Sequence, residues 1–475
     1  MLKGFKFLLD KRREICYAVF EAFQIRLGKG GEEGRQEQIK VLRFRDIAFK
    51  RRLIKVNWRS RLTVGLLVVA MAALIVGPVS VYAAQKVNIS LMIWGGVTEE
   101  NEVKSYIAAF NKVYPDIQVT IIRPADYWPK LMSMLAAGTP PDVFYMGFPE
   151  FVKYHEMGAL LDLQSYVNED STFNARDFFP GTLNAFRDRK TGDLYGIPKD
   201  WSTYVLYYNK KMFKDAGLPT PNEMFGYGEW SWQDFLNVAQ KLTKDGVYGF
   251  AYNTPGRWKL FPPQAGANWV VSPEKVEVDT PAFAEGIQFL ADLSLKYHVA
   301  PTATELAEMG APDWFANQKA AMYICGRWMT MKFKTLSFDW DIAPVPYDRQ
   351  MYTWVDLVAY CVAKDSKHPE AAWKLANFLT HPEAQKLVAQ NGHAIPIRRS
   401  VAYSPAFTQA LAERGIHNTV HLMPLTTGPI TVFDHWGEVW TAINRGLEPV
   451  WTGEKTAAEV LPGIQKEIDK IMAGK

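Results

Sequence analysis

Two tryptophans stand where strands are expected to end. Ala320 to Cys325 is a short apolar run with the β-formers Tyr323 and Ile324; Gly326 breaks it and Trp328 follows. Such a run reads as a strand buried on both faces. A large planar ring just beyond a strand's carboxyl end lies where open α/β sheets hold ligands. Val87 to Ile93 is a second expected strand, and it leads into Trp94-Gly95-Gly96. The chemistry these rings offer is non-covalent: a π face for stacking and an indole N–H for an acceptor. Far apart in the chain, the two strand ends predict one cleft built from both halves.

Patterns for bond-making chemistry are scarce. The eight histidines show no HExxH spacing, no GxSxG elbow occurs, and no glycine-rich phosphate loop follows a strand. No metal or cofactor is expected. A glycosidase needs only two carboxylates, which carry no sequence signature, so a glycoside-active enzyme stays open as the alternative to a binding protein.

The charge is unevenly placed. Residues 1–83 hold 17 of the 54 basic and 7 of the 50 acidic groups, which leaves 37 basic against 43 acidic groups beyond them. A nucleic-acid groove needs a basic stripe, so no nucleic-acid partner is expected. Residues 1–62 form a basic extension, of which residues 1–55 read either as a cytoplasmic tail or as the product of a start placed too far upstream, since a chain beginning near Val56 would have an ordinary short n-region. Residues 63–83 carry the uncharged run Val64 to Val81, preceded by Arg59 and Arg61 and followed by Tyr82-Ala83-Ala84. That is the pattern of a secretory signal cleaved after Ala83; kept in place, the run is long enough to anchor the chain in a membrane. The expected location is therefore outside the cytoplasm. Beyond the leader only Cys325 and Cys361 remain, both in apolar runs, and they read as small buried hydrophobes.

The elements that must position the rings alternate. A helical pattern from Glu99 to Val113 is stopped by Pro115, and Ile117 to Ile122 resumes strand alternation. A helix from Trp128 to Ala137 and a strand from Val143 to Met146 follow. Lys199 to Ser202 is a polar segment between apolar stretches, read as a crossing between two lobes, and Thr203 to Tyr208 reads as a strand. Asn253 to Trp269 is irregular and carries Arg257 and Trp258. Beyond Trp328, Leu357 to Ala363 reads as a buried strand, and helices cover Pro369 to Leu379, a stretch from Pro382, and Trp436 to Leu447. Strands alternating with helices imply sheets covered on both faces.

The motifs Gly138-Thr-Pro-Pro-Asp142-Val143, Gly196-Ile-Pro198, Tyr208-Asn209-Lys210, Lys319-Ala-Ala-Met322 through Gly326 and Trp328, Pro344-Val-Pro346 and Gly392-His-Ala-Ile-Pro396 occur in one order over nearly all of residues 85–475. In this the chain resembles the family 1 extracellular solute-binding proteins of ABC transporters, the group that includes maltose-binding protein. The resemblance implies an α/β fold of two lobes (type II-like), each a mainly parallel sheet flanked by helices, joined by a multi-segment hinge. Lobe one would be 86–197 plus 352–380, and lobe two 203–346 plus 381–475. It also implies capture of a carbohydrate, an oligosaccharide given the aromatic content, and delivery to the transmembrane subunits of an ABC permease, with the chain a monomer. A sugar-sensing receptor component is the remaining alternative.

Site residues follow the same way. A sugar presents apolar C–H faces for rings and hydroxyl edges for polar groups. Trp328 matches the family position whose ring stacks on sugar, Arg257 and Trp258 match second-lobe contacts, and His435 and Trp436 align with another aromatic contact. Trp94 ends the first strand, with Thr98 or Glu99 supplying polar contacts after it. Trp201 and Ser202 lie in the crossing, where the family often places a polar contact. Asp356, after Trp354-Val355, stands where many members have a glycine-rich turn, and Met146 where maltose-binding proteins carry a ring. Trp373 and Trp440 are assigned to the core.

Overall fold

A computed structural model describes residues 86–423 and 433–474. The basic extension and the signal or anchor segment lie outside the described residues. Among the described residues no helix is long and apolar enough to cross a membrane.

The pattern read at Val87 produces a strand–helix–strand unit. β1 (Val87–Met92) and β2 (Ile117–Ile122) run parallel, with Val87 opposite Ile117 and Met92 opposite Ile122. Between them the helix Val97–Val113 turns Val103, Tyr106, Ile107 and Phe110 inward, at the three-and-four spacing of an amphipathic helix. β3 (Val143–Gly147), buried at every position, joins β1 on its other side, also parallel.

The other strands of this sheet enter antiparallel. β4 (Ile197–Thr203), β11 (Val355–Val362) and β12 (Ile395–Pro396) complete the order β12-β4-β11-β3-β1-β2. A second sheet has the order β10-β5-β9-β6, from β5 (Val205–Asn209), β6 (Tyr248–Ala251), β9 (Ala320–Cys325) and β10 (Trp340–Ala343); β6 and β9 are its parallel pair. β7 (Val270–Ser272) and β8 (Lys275–Val276) form a small hairpin. The architecture is two α/β lobes, each with its own core. Among the strands of the described residues, parallel pairing is confined to β2-β1-β3 and β6-β9, so the sheets are mixed rather than mainly parallel. Parallel neighbours need a crossover helix, and strands arriving directly from the other lobe bring none.

The crossing is itself strand. Only Tyr204 separates β4 in the first sheet from β5 in the second. It is bonded to the return crossing on both sides: Tyr204 N donates to Trp354 O at 3.1 Å, and Thr353 Oγ1 donates to Tyr204 O at 2.7 Å.

Residues 381–397 differ from expectation. Assigned above to the second lobe, they pack on the first: Ala384, Val388, Ala394 and Ile397 share a core with Phe110 and Leu375, and β12 pairs with β4. The buried Gln385 side chain shows why. Its Nε2 donates to Lys199 O at 3.0 Å and its Oε1 accepts from Ile397 N at 2.7 Å, which fixes the segment to the first sheet. Cys325 on β9 and Cys361 on β11 are fully buried and free.

Candidate functional site

β9 ends at Cys325, and the turn after it delivers Trp328 to the start of the short helix Met329–Phe333. The indole folds back over Gly326, where a Cβ would come within 2.0 Å of the ring. Gly326 is the seat of the ring as well as the end of the strand. Arg257 lies across the other side of this group: its guanidinium carbon is 5.1 Å from the Trp328 ring centre. Arg257 Nη1 donates to Tyr204 Oη and to Cys325 Sγ, both at 3.2 Å. Tyr204 meets Trp328 edge to face at 6.1 Å.

A charged pair sits beside these rings. Lys259 Nζ is 3.3 Å from Asp356 Oδ1, which also accepts the Trp354 indole N–H at 2.9 Å. The same ammonium lies 4.1 Å over the Trp354 ring and 5.5 Å from that of Trp440. Burial draws the Lys259 ammonium below its ordinary range, against the pull of Asp356. For Asp356 burial opposes ionisation, but Lys259 and Arg257 outweigh it and hold the carboxyl below the usual carboxylate range. Glu150, on the first lobe and within the field of this pair, is pushed up to about 6 by burial. Chemically this is a set of ring faces bracketing a neutralised ion pair, with groups to stack on apolar faces and to bond hydroxyls.

The first strand end is built differently. The half-buried Trp94 ring packs edge to face on Tyr127 at 5.0 Å and Tyr145 at 5.1 Å, and contacts Trp128 at 5.7 Å. Thr98 is exposed; Glu99 is buried. Glu99 and Glu102 are both pushed up to about 7, chiefly by burial, and one oxygen of each has no hydrogen-bond partner. His393 stands between them, Nε2 3.7 Å from Glu99 and Nδ1 3.6 Å from Glu102, and burial draws its imidazole down to about 4. The neighbouring Lys199 and Asp200 pair with each other.

Other expected contacts lie deeper. Met146 is fully buried inside β3, because its strand is covered on both faces. Trp258 is also fully buried: it stacks on Trp440 at 5.1 Å, meets Phe283 at 5.4 Å, and spends its indole N–H on Asn444 Oδ1. Both are core residues here. Trp436 is buried against Phe433 at 4.5 Å and stacks on Trp440 at 5.8 Å, while His435 is exposed and adopts a left-handed φ of 56° ahead of that helix. Trp440, assigned to the core from its helical spacing, is the half-buried outer ring of this stack, with Lys259 over it. Ser202 Oγ accepts from Arg327 N at 2.7 Å, tying the crossing to the turn that carries Trp328. Trp201 points to the other face of the same strand, against Phe179.

Lys259 and Tyr204 went unnoticed in the sequence. Lys259 follows Arg257 by two positions in the same irregular segment, and the turn of chain that swings Trp258 inward is what presents both cations.

Residues 95–386 match the profile of the bacterial extracellular solute-binding proteins. The chain is 24% identical over 386 residues to a galactooligosaccharide-binding protein of Bacillus subtilis, covering 78% of this chain and 86% of that one. It is 25% identical over 433 residues to an sn-glycerol-3-phosphate-binding periplasmic protein of Shigella dysenteriae, covering 82% and 94%. Among solved structures it is similar to an ABC substrate-binding protein of Listeria monocytogenes in complex with cycloalternan, with a TM-score of 0.74 and 26% identity over 82% of this chain and 99% of that chain.

Proposed function

Because the chain belongs to the bacterial extracellular solute-binding proteins, we propose that it captures a carbohydrate, an oligosaccharide, between its two lobes and delivers it to an ABC permease without cleaving it. The observation that carries this is the Lys259–Asp356 pair bracketed by Trp354 and Trp440, with Trp328 and Arg257 beside it. Rings take the C–H faces of the sugar; Asp356, Arg257 and Glu150 take its hydroxyls. Trp328 comes from the second lobe and Glu150 from the first, so a ligand touching both favours closure. The names of relatives that bind oligosaccharides agree with this ligand class. The chain acts as a monomer outside the cytoplasm, its lobes close to the divisions read from sequence apart from 381–397, and its permease partners are the transmembrane subunits of the transporter.

The resemblance to glycerol-3-phosphate-binding relatives raises a phosphate ligand as a second class. Lys259 is paired with Asp356; Arg257 beside it, bonded to the neutral Tyr204 Oη and Cys325 Sγ, is the cation that a phosphate would meet. The test is a thermal-shift screen against neutral oligosaccharides and sn-glycerol-3-phosphate, with mass analysis of the recovered ligand. A ligand bound only by the native state raises the melting temperature by mass action. Intact oligosaccharide with a clear rise is the expected result. Cleaved sugar makes the protein a glycosidase, and a rise with glycerol-3-phosphate alone makes it a phosphate-ester binder.

A further inference from the structure

Arg327 stands between the cleft ring and the hinge. It is fully buried, in the turn that joins β9 to Trp328. Charged side chains are almost never fully buried unless paired, yet among the described residues no carboxylate bonds this guanidinium. Its acceptors are neutral: Nε donates to Ala394 O and Nη1 to Asn418 Oδ1, both at 3.2 Å, and Nη2 has no hydrogen-bond partner among the described residues. Burial draws the group down to about 10, against the Tyr207 phenol. A buried cation without a counter-ion costs stability, so packing alone gives no reason for an arginine here. Such a group can instead fix one arrangement of the chain.

The two acceptors belong to different lobes. Ala394 packs in the first-lobe core with Val388 and Ile397. Asn418 lies between Ile416 and Val420, which share a second-lobe cluster with Val205 and Trp340. The guanidinium carbon also lies 4.6 Å over the ring of Phe407, which packs with Ile395 and Trp201, partners in the β12–β4 pairing of the first sheet. The chain therefore passes from the first lobe to the second between Phe407 and Ile416, a third crossing, and Arg327 lies against it. Guanidinium N–H groups form a rigid planar fork, so Nε and Nη1 hold Ala394 O and Asn418 Oδ1 in one relation. A rotation of the lobes that separates those two oxygens breaks one of the bonds.

The backbone of the same residue holds the first crossing. Arg327 N donates to Ser202 Oγ at 2.7 Å, and Ser202 stands opposite Asp356 in the β4–β11 pairing. Next along that crossing, Thr203 Oγ1 meets Nδ1 of the buried His421 at 3.0 Å. The half-buried Lys334 adds a bond to Asn391 O at 2.9 Å. Arg327 alone of these fastens the turn that carries Trp328 to two crossings at once.

We infer that Arg327 is the positioning residue of the cleft: it touches no ligand, and it fixes the angle between the lobes and with it the reach from the Trp328 ring to Glu150 on the first lobe. The inference rests on the reading above that one ligand touches both lobes.

Two readouts on the full chain test this: small-angle X-ray scattering without ligand, which reports the arrangement of the lobes, and calorimetric titration with whichever of maltotriose, mannotriose and galactotriose binds. Arg327→Gln keeps a polar side chain but loses the fork. It is expected to change the scattering curve of the unliganded chain and to weaken trisaccharide binding by about fivefold or more, the lower end of ordinary coupling. Arg327→Lys keeps the cation and should recover part of both. A residue that served the core alone would lower the melting temperature and leave scattering and affinity of the folded protein as in the parent, so either readout at its parent value in Arg327→Gln overturns the inference. If Arg327→Gln does not fold, Phe407→Leu, which removes the ring beneath the guanidinium and keeps an apolar side chain, is judged by the same two readouts. No trisaccharide bound by the unaltered chain, with sn-glycerol-3-phosphate bound instead, overturns the carbohydrate reading alone: affinities are then measured with sn-glycerol-3-phosphate, and the scattering comparison needs no ligand.

Discussion

The indole of Trp328 lies so close over Gly326 that a Cβ on the glycine would stand 2.0 Å from the ring. No L side chain shares that space, so the ring's position and the glycine are one feature. Gly326→Ala should displace the indole from Arg257 and Tyr204. Sugar affinity is expected to fall at least tenfold, about 1.4 kcal/mol, with a change in tryptophan fluorescence in the free protein. An alanine variant that binds as tightly as the parent would separate the two residues.

Trp328→Ala removes the ring itself. The side chain is half-buried and packs on both parts of the second-lobe core, so a stability cost of about 1 to 2 kcal/mol is expected, below that of a fully buried ring. Binding should be lost altogether. Denaturant titration and calorimetry distinguish the roles: a cost of about 4 kcal/mol with binding retained would make the ring a core element.

The Trp328 position was legible because strand end, glycine and ring fall within the four residues Cys325 to Trp328, and a strand's end fixes where the next residues point. The alternating strands β1, β2 and β3 were legible for the same local reason. The tryptophans of the second lobe were not. Trp258 and Trp440 stack on each other, and which of the two lies at the core depends on how the irregular segment after Asn253 meets a helix nearly two hundred residues later. Local spacing holds no record of that. Nor does it reveal that Gln385 fixes 381–397 to the first sheet, since a buried amide bonding two distant backbone groups resembles any polar helix residue.

Asp356 and Lys259 should prove interdependent. Lys259 is 8% exposed, so Asp356→Asn leaves a buried ammonium without its partner. Breaking a buried pair costs 3–5 kcal/mol; with the Asp356 side chain 32% exposed, about 2 kcal/mol is expected. Adding Lys259→Met should recover much of this stability while sugar affinity stays low. A double variant whose cost equals the sum of the Asp356→Asn and Lys259→Met costs measured singly would show the pair to be uncoupled.

Glu99, Glu102 and His393 give stability a pH dependence with opposing parts. Both carboxyls titrate at about 7 in the fold against an ordinary 4.5. Between those values the folded chain keeps protons that the unfolded chain has released, so raising the pH through this window lowers stability. His393 titrates at about 4 against an ordinary 6.5. The unfolded chain therefore holds the extra proton between about 4 and 6.5, and raising the pH there increases stability. Two carboxyls against one imidazole leave a net decline from this cluster. Glu99→Gln leaves one against one, so between pH 5 and 6.5 the slope of unfolding free energy should become more positive than in the parent by up to about 1.4 kcal/mol per pH unit, the weight of one proton. His393→Gln should make it more negative by a similar amount. Urea denaturation at half-unit pH steps measures both slopes. If Glu99→Gln follows the parent curve, Glu99 is ionised throughout this range in the folded chain, stabilised by Lys199, and burial is not what governs it.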